Sequence, residues 1–183
     1  MFENIDWQDG NVSIPGIYEE AYYIPKTHIV AFPAVIAAPA TATDLVTLVG
    51  DFTLDALKVW KKINHIDGKA NVSAEAQGEV RSQTFLNKAT FKTSLTTEDA
   101  TAFAMSANNA NVVYLVKEKN SGKWRVLGNK MFNTITKPSV MLGGEATSER
   151  GLSMEVEVTD SIPLPFYTGA IMTDNGDVNP PVV

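Results

Sequence analysis

Cysteine is absent from the 183 residues. That excludes disulfides, thiolate nucleophiles and Cys-ligated zinc or iron–sulfur centres. Histidine occurs only twice, at His28 and His65, so imidazole chemistry has little to work with. Positive charge is in deficit, with 15 Lys and Arg against 21 Asp and Glu and a formal net charge of −6. A nonspecific nucleic-acid binder needs the opposite sign to displace counterions from phosphates. Long hydrophobic runs are missing too. The longest apolar stretch, Ile29 to Ala40, is too short to span a bilayer and is broken by Pro33 and Pro39. The first ten residues carry Glu3, Asp6 and Asp9 and no Lys or Arg, the reverse of a secretory n-region. The expectation is a soluble chain, without membrane insertion, that stays where it is made.

What is present suffices for a core. Hydrophobic residues make up 44% and charged residues 20%, outside the range of disordered chains. The length suits one domain with extended arms. Residues 1–16, punctuated by Gly10, Pro15 and Gly16, read as an irregular N-terminal arm, and 17–172 as a single domain. Ile17 to Ile24 is aromatic and branched and stops at Pro25, a strand signal. The prolines of 29–40 forbid a regular helix or central strand. That segment either covers the domain's own core or lies on a neighbouring subunit. Leu45 to Leu54 reads as a strand kinked at Gly50, and Leu57 to Ile63 as a strand whose alternation Lys61 spoils. Asn64 to Gly78 is polar, with turn signals at Asp67-Gly68 and Gly78, and reads as a long hairpin or mobile loop.

One helix stands out at about 97–110. Thr96-Thr97-Glu98-Asp99 supplies a capping hydroxyl and two acids for the positive end of the dipole. Ala100, Phe103, Ala104 and Ala107 form a narrow apolar stripe, suited to packing against a sheet of its own or another subunit. Asn108-Asn109 is expected to close the helix in a left-handed conformation. Val112 to Val116 is a continuous apolar run, a fully buried strand, turned by Asn120-Ser121-Gly122 into Trp124 to Leu127. Val140 to Thr147 and Leu152 to Val158 form a second hairpin. In it Leu152, Met154, Val156 and Val158 face one way, and Ser153, Glu155 and Glu157 the other. Residues 173–183 read as a loose tail. Many short strands with one flanking helix predict a mainly β fold, a β-sandwich or partly closed barrel.

No catalytic constellation assembles. A nucleophile elbow, a phosphate loop and a dinucleotide fingerprint are all missing. Asn120-Ser121-Gly122-Lys123 is explained by its hairpin. Glu155 and Glu157 resemble a carboxylate pair, but they share one strand face and read as a solvated row. Asp6 to Asn11 and Asp174 to Asp177 contain oxygens suited to calcium, yet fit ordinary turns as well. Neither an enzyme nor a cofactor nor a metal site is expected.

Three stretches resemble a known family. The first is Gly78-Glu79, Ser82, Thr84 to Lys88 and Phe91. The second is Ala102-Phe103-Ala104 and Ala107-Asn108-Asn109 running into Val112 to Gly128. The third is Gly143 to Leu152, followed by Pro165-Phe166-Tyr167-Thr168-Gly169. The opening, with Tyr22-Tyr23-Ile24-Pro25 and Phe32-Pro33, is similar as well. In order and spacing, over about 17–172, they resemble the major tail tube proteins of long-tailed (siphovirus-like) phages, in particular those of Bacteroidetes phages. No single residue is diagnostic.

The resemblance implies a sandwich with a flanking helix, whose copies form a six-membered ring with merged inner sheets. Rings then stack into a tube that conducts DNA without specific binding. The chain's partners would be itself and other phage tail proteins, and its place the virion tail, assembled in the bacterial cytoplasm. A ring closes each open strand edge on its neighbour, and a negative lumen does not hold phosphates. On this reading Asn64, Asp67, Gly68, Asn71 and Glu75 belong to an inter-ring loop. Phe32, Pro33, Ile36, Phe103 and Ala107 are candidates for subunit packing, and Glu155 and Glu157 for a lumen-facing row. Two other classes stay open: another tail component, such as a terminator or a contractile injection tube, and a glycan- or ligand-binding sandwich.

Overall fold

The computed structural model describes residues 3–5, 9–10, 12–145 and 147–180. Strands follow in chain order as β1 Ile17–Pro25, β2 Ile29–Ala31, β3 Thr47–Leu48, β4 Thr53–Leu54, β5 Lys61–Asn64, β6 Asn71–Gln77 and β7 Thr84–Thr93. The helix α1, Glu98–Ala107, comes next. Then come β8 Val112–Glu118, β9 Trp124–Leu127, β10 Ile135–Met141, β11 Gly151–Asp160, β12 Phe166–Tyr167, β13 Met172–Thr173 and β14 Gly176–Asp177. Strand accounts for 43% and helix for 9%, in several sheets without a closed barrel, so the expected mainly β, sandwich-like fold is what is found.

Two sheets carry the architecture. One has the order β3-β12-β9-β8-β1-β5 and the other β10-β11-β7-β6. β8 explains why. Its residues Val112, Tyr114 and Val116 point into a first core, between the sheets, with Ala89, Phe91, Met154 and Val156. Its Val113 and Leu115 point the other way, into a second core with Tyr22, Ile24, Trp60, Trp124 and Tyr167. A strand buried on both faces has no polar side, hence the unbroken apolar run. The second core is roofed by Phe32 and Phe52 from the 29–55 segment, by Ile171 and by Val178.

α1 closes the first core at the β10 end. Thr97 caps it, its hydroxyl accepting from Ala100 N at 3.4 Å. Phe103 meets Tyr23 edge to face at 4.7 Å between ring centroids, and Ala104 and Ala107 are buried. The small side chains let α1 lie close against β10 and β11. Its end differs from the expectation: Asn108 stays right-handed (φ −58°, ψ −30°), with its N–H bonded to Ala104 O.

Several other boundaries move. Residues 64–78 are not one loop. β6 pairs with β7 along its whole length, from Asn71↔Thr90 to Gln77↔Thr84. Val72 and Ala74 are half-buried and Ala76 is exposed, so the inward side offers a single branched apolar residue, too little to signal a core face. The true connection is 65–70, and it is tied down. His65 N donates to Glu19 O at 2.9 Å and Ile66 N to Lys92 O at 2.8 Å, and Lys119 reaches Asp67 at 2.5 Å.

Gly50, at φ +89°, splits 45–54 into β3 and β4, which join different sheets. The 57–63 strand begins only at Lys61. The second hairpin is shifted, its first strand being Ile135–Met141 rather than 140–147. Pro138 hid that strand, being admissible only because β10 is an edge. Finally, the tail is not loose through 180. β13 and β14 form a small hairpin, and Val178 N bonds Ile171 O at 3.1 Å.

Candidate functional site

The surfaces that invite contact are strand edges. In the four-stranded sheet β10 is bonded only to β11, and β6 only to β7. β10 carries Lys137 and Pro138, residues that blunt an edge; β6, with the sequence NVSAEAQ, carries neither. Along β10 and its flanks Met131, Phe132, Ile135, Val140, Met141 and Leu142 are all exposed, and Met105 of α1 is exposed as well. Strand alternation sets Ile135 and Met141 on one face of β10 and Val140 on the other, so the border strand shows apolar side chains to both sides. No periodic signal gave these residues away in the sequence, because they are scattered over a turn, an edge strand, a loop and a helix.

The outer face of this sheet is polar along its middle, with Ile135 and Met141 at the β10 border and Leu86 on β7 as its apolar members. The pairings Glu157↔Lys88, Glu155↔Thr90 and Glu155↔Lys137 put three strands' outward residues side by side. Lys88 bonds Glu75 at 2.8 Å, and Lys137 approaches Glu157 at 3.4 Å. Glu75 and Glu157 are thus paired with Lys88 and Lys137, while Glu155 stands opposite Lys137 in register without a bond to it. The face that β11 alone made look acidic is balanced, because the lysines come from its neighbours.

Other candidate residues distribute as follows. Asn64 ends β5; Asp67 and Gly68 form the tied 65–70 turn, Gly68 at φ +70°; Asn71 and Glu75 stand on β6. None belongs to a long free loop. Glu149, in the β10–β11 connection, clasps both Lys92 and, at 3.3 Å, Lys69. Those bonds, Lys92 first, hold its carboxyl below the usual carboxylate range. Ala107 is buried in the chain itself, and Phe103 packs, partly buried, against the first core. Phe32 packs on Phe52 at 5.5 Å, also within the chain, while Pro33 lines an open groove and Ile36 is exposed. The 29–40 segment therefore does cover its own core, and still leaves apolar side chains outside.

Buried polar groups are structural. Tyr114 Oη and Thr136 Oγ1 meet at 2.9 Å across the first core, and burial pushes the Tyr114 hydroxyl up to about 12. Among the described residues no group of three or more His, Asp or Glu has the geometry to hold a metal ion, and no helix is long and apolar enough to cross a membrane. Asp174 instead pairs with Lys61 at 2.6 Å. Of the other calcium candidate, residues 6–8 and 11 lie outside the described residues. No family model matches the chain, and no curated protein or solved structure is significantly similar to it.

Proposed function

We propose that this chain is a virion structural protein that polymerises with copies of itself into a tail tube, through which DNA passes without specific binding. The observation that carries the reading is the four-stranded sheet with both borders free. Its strands alternate in direction, β10 against β11, β11 against β7 and β7 against β6. With an even number of alternating strands, β6 of one copy meets β10 of the next antiparallel when copies follow head to tail. The sheet then continues in the more stable of the two pairing patterns. An odd number would force a parallel junction. Repeated around an axis, such a heterologous contact closes into a ring. It covers both edges and the apolar row of β10, the two features that are unfavourable in a lone molecule.

The balanced outer face suits a conduit. Its lysines each lie beside a carboxylate, Lys88 beside Glu75, Lys137 beside Glu157 and Lys92 beside Glu149, so the face offers no cluster of unpaired cations to a phosphate. Neutrality of the face, together with the chain's net −6, replaces the acidic row as the reason DNA would slide. The ring number of six comes from the resemblance alone. Assembly would take place in the bacterial cytoplasm, with other tail proteins as partners.

Negative-stain electron microscopy of the purified protein, at rising concentration and with tail extract, tests the proposal. Uniform hollow cylinders are expected. A species that stays monomeric by light scattering under all these conditions would refute it. Co-purification of a sheath protein with the cylinders would assign the tube to a contractile tail.

A further inference from the structure

We propose that the two borders of the four-stranded sheet meet in one fixed register, β6 of one copy lying flush on β10 of the next, with Asn71 opposite Met141 and Gln77 opposite Ile135. The inference rests on the self-assembly reading above and deepens it by naming the residues that select the neighbour.

Strand length and side-chain direction both pick this register. β6 and β10 are each seven residues long, so an antiparallel junction that begins at one end of both strands finishes at the other end of both. The faces agree as well. On β6, Val72, Ala74 and Ala76 stand beside Ala89, Asn87 and Phe85 of β7, on the side of the first core, and Asn71, Ser73, Glu75 and Gln77 lie on the outer side. On β10, Thr136, Pro138 and Val140 stand beside the buried Val156, Met154 and Leu152, and Ile135, Lys137, Ser139 and Met141 lie on the outer side. Laid flush, inner residues meet inner residues and outer residues meet outer ones. A slip by one residue would continue the outer face of one copy as the core face of the next.

The chemistry of the pairs fits the same register. Glu75 comes opposite Lys137, Ser73 opposite Ser139 and Val72 opposite Val140. Opposite charges, paired hydroxyls and packed branched side chains are combinations that stabilise neighbouring strands. Both charged groups have capacity left for a neighbour. Glu75 accepts from Lys88 through Oε2, at 2.8 Å, and its side chain is 60% exposed. Lys137 approaches Glu157 only at 3.4 Å, and its side chain is 59% exposed. Pro138 has no N–H and so removes one donor from the junction; small Ala74 comes opposite its ring. A slip by two residues keeps the faces but brings Glu75 opposite Ile135 or Ser139, parts the two valines and leaves two residues at one end of each strand without a partner.

The same pairs disfavour the two-fold contacts. In a flush junction of two β10 strands Pro138 would face Pro138, and Lys137 would face Ser139 instead of a carboxylate. In a flush junction of two β6 strands Glu75 would face Ser73. The charge pair therefore forms only between unlike borders, which is the heterologous contact that a ring requires.

Two experiments decide the register. Glu75→Lys and Lys137→Glu each turn the pair into one of like charge, so each variant alone should need about 3- to 30-fold more protein to assemble than the wild type. Mixed in equal amounts, the two should assemble close to the wild-type concentration, because alternating copies set a cation opposite a carboxylate at every junction. Mixing cannot repair a folding defect, so the rescue reads the contact itself. A variant that assembles alone at the wild-type concentration, or a mixture no better than its components, would overturn the register while self-assembly of the wild type stands.

The chain has no cysteine, so Ser73→Cys combined with Ser139→Cys gives a clean cross-linking pair. Cβ atoms directly opposite one another lie about 4.5–5.5 Å apart, close to what a disulfide needs, and diagonal neighbours lie farther apart. After mild oxidation of assembled protein with copper phenanthroline, this double variant should give a covalent ladder on non-reducing gels and each single variant none. Ser73→Cys with Met141→Cys, a diagonal pair, should give none either. A ladder from the diagonal pair in place of the opposite one, or no ladder from either, would overturn the register. Wild-type protein that never assembles would overturn this inference and the self-assembly reading together.

Discussion

Asn87→Ala is the sharpest test of how the corner after β11 is held. Asn87 is fully buried in β7, in the inward row that otherwise holds Ala89 and Phe91. Its Nδ2 donates to Ile162 O at 3.0 Å, and its Oδ1 accepts from Leu164 N at 3.1 Å. One amide thereby fixes both ends of a corner where Leu164 adopts φ +49°. Alanine removes two hydrogen bonds, each worth about 0.5–1.5 kcal/mol net. It also strands a backbone carbonyl and a backbone N–H, at about 1–3 kcal/mol each when fully buried. The corner is half-exposed, so water meets part of that cost, and the expected loss is about 2–4 kcal/mol. For a chain of this size each kcal/mol is worth roughly 2–4 °C, giving a midpoint lowered by about 4–16 °C. Urea titration and thermal melting of the soluble form measure it. Asn87→Asp is the companion: it keeps an acceptor for Leu164 N but turns a carboxylate towards Ile162 O, so its loss should be larger at pH 7 than at pH 3. An Asn87→Ala protein within about 0.5 kcal/mol of wild type, the range of ordinary surface changes, would refute the account of this corner.

Thr97→Ala deletes the N-cap of α1 and should cost about 1 kcal/mol, read as a lowered urea midpoint with an unchanged slope. Gly151→Ala should be far worse. A Cβ there would lie 1.9 Å from Thr93 O, and the residue sits at φ +141°; the measurable outcome is insoluble protein or a lost cooperative melt, because β11 cannot keep its register on β7. Glu149→Gln tests the clasp on Lys69 and Lys92. A carboxyl held below its usual range stabilises the fold above its unfolded value and loses that effect as pH falls through the folded one. The variant should therefore melt below wild type at pH 7, and the two curves should converge as the pH falls below the usual carboxylate range. Glu155→Lys with Glu157→Lys converts the balanced sheet face to a positive one; tubes should still form, and DNA release should slow, as read by a dye-based ejection assay.

Much of the fold was legible locally. β1, the β8–β9 hairpin, the period-2 row of β11 and the capped helix announce themselves through side-chain alternation, turn residues and a hydroxyl before two acids. Each depends on residues within a few positions of one another. β6 was not legible, because its half-buried Val72 and Ala74 gain their meaning from the β7 residues they face. β10 was obscured by Pro138, which reads as a breaker until the strand is known to lie at a border.

The candidate surfaces divide along the same line. The lack of cysteine, the scarcity of histidine and the net negative charge are properties of the chain itself and hold in any conformation. That Glu155 and Glu157 lie among lysines, that Phe103 and Ala107 face inward, and that β6 and β10 form the two borders of one sheet were decided only by the tertiary structure. Strand neighbours are distant in sequence. Whether a charge is balanced or an edge free depends on what the rest of the chain brings beside it.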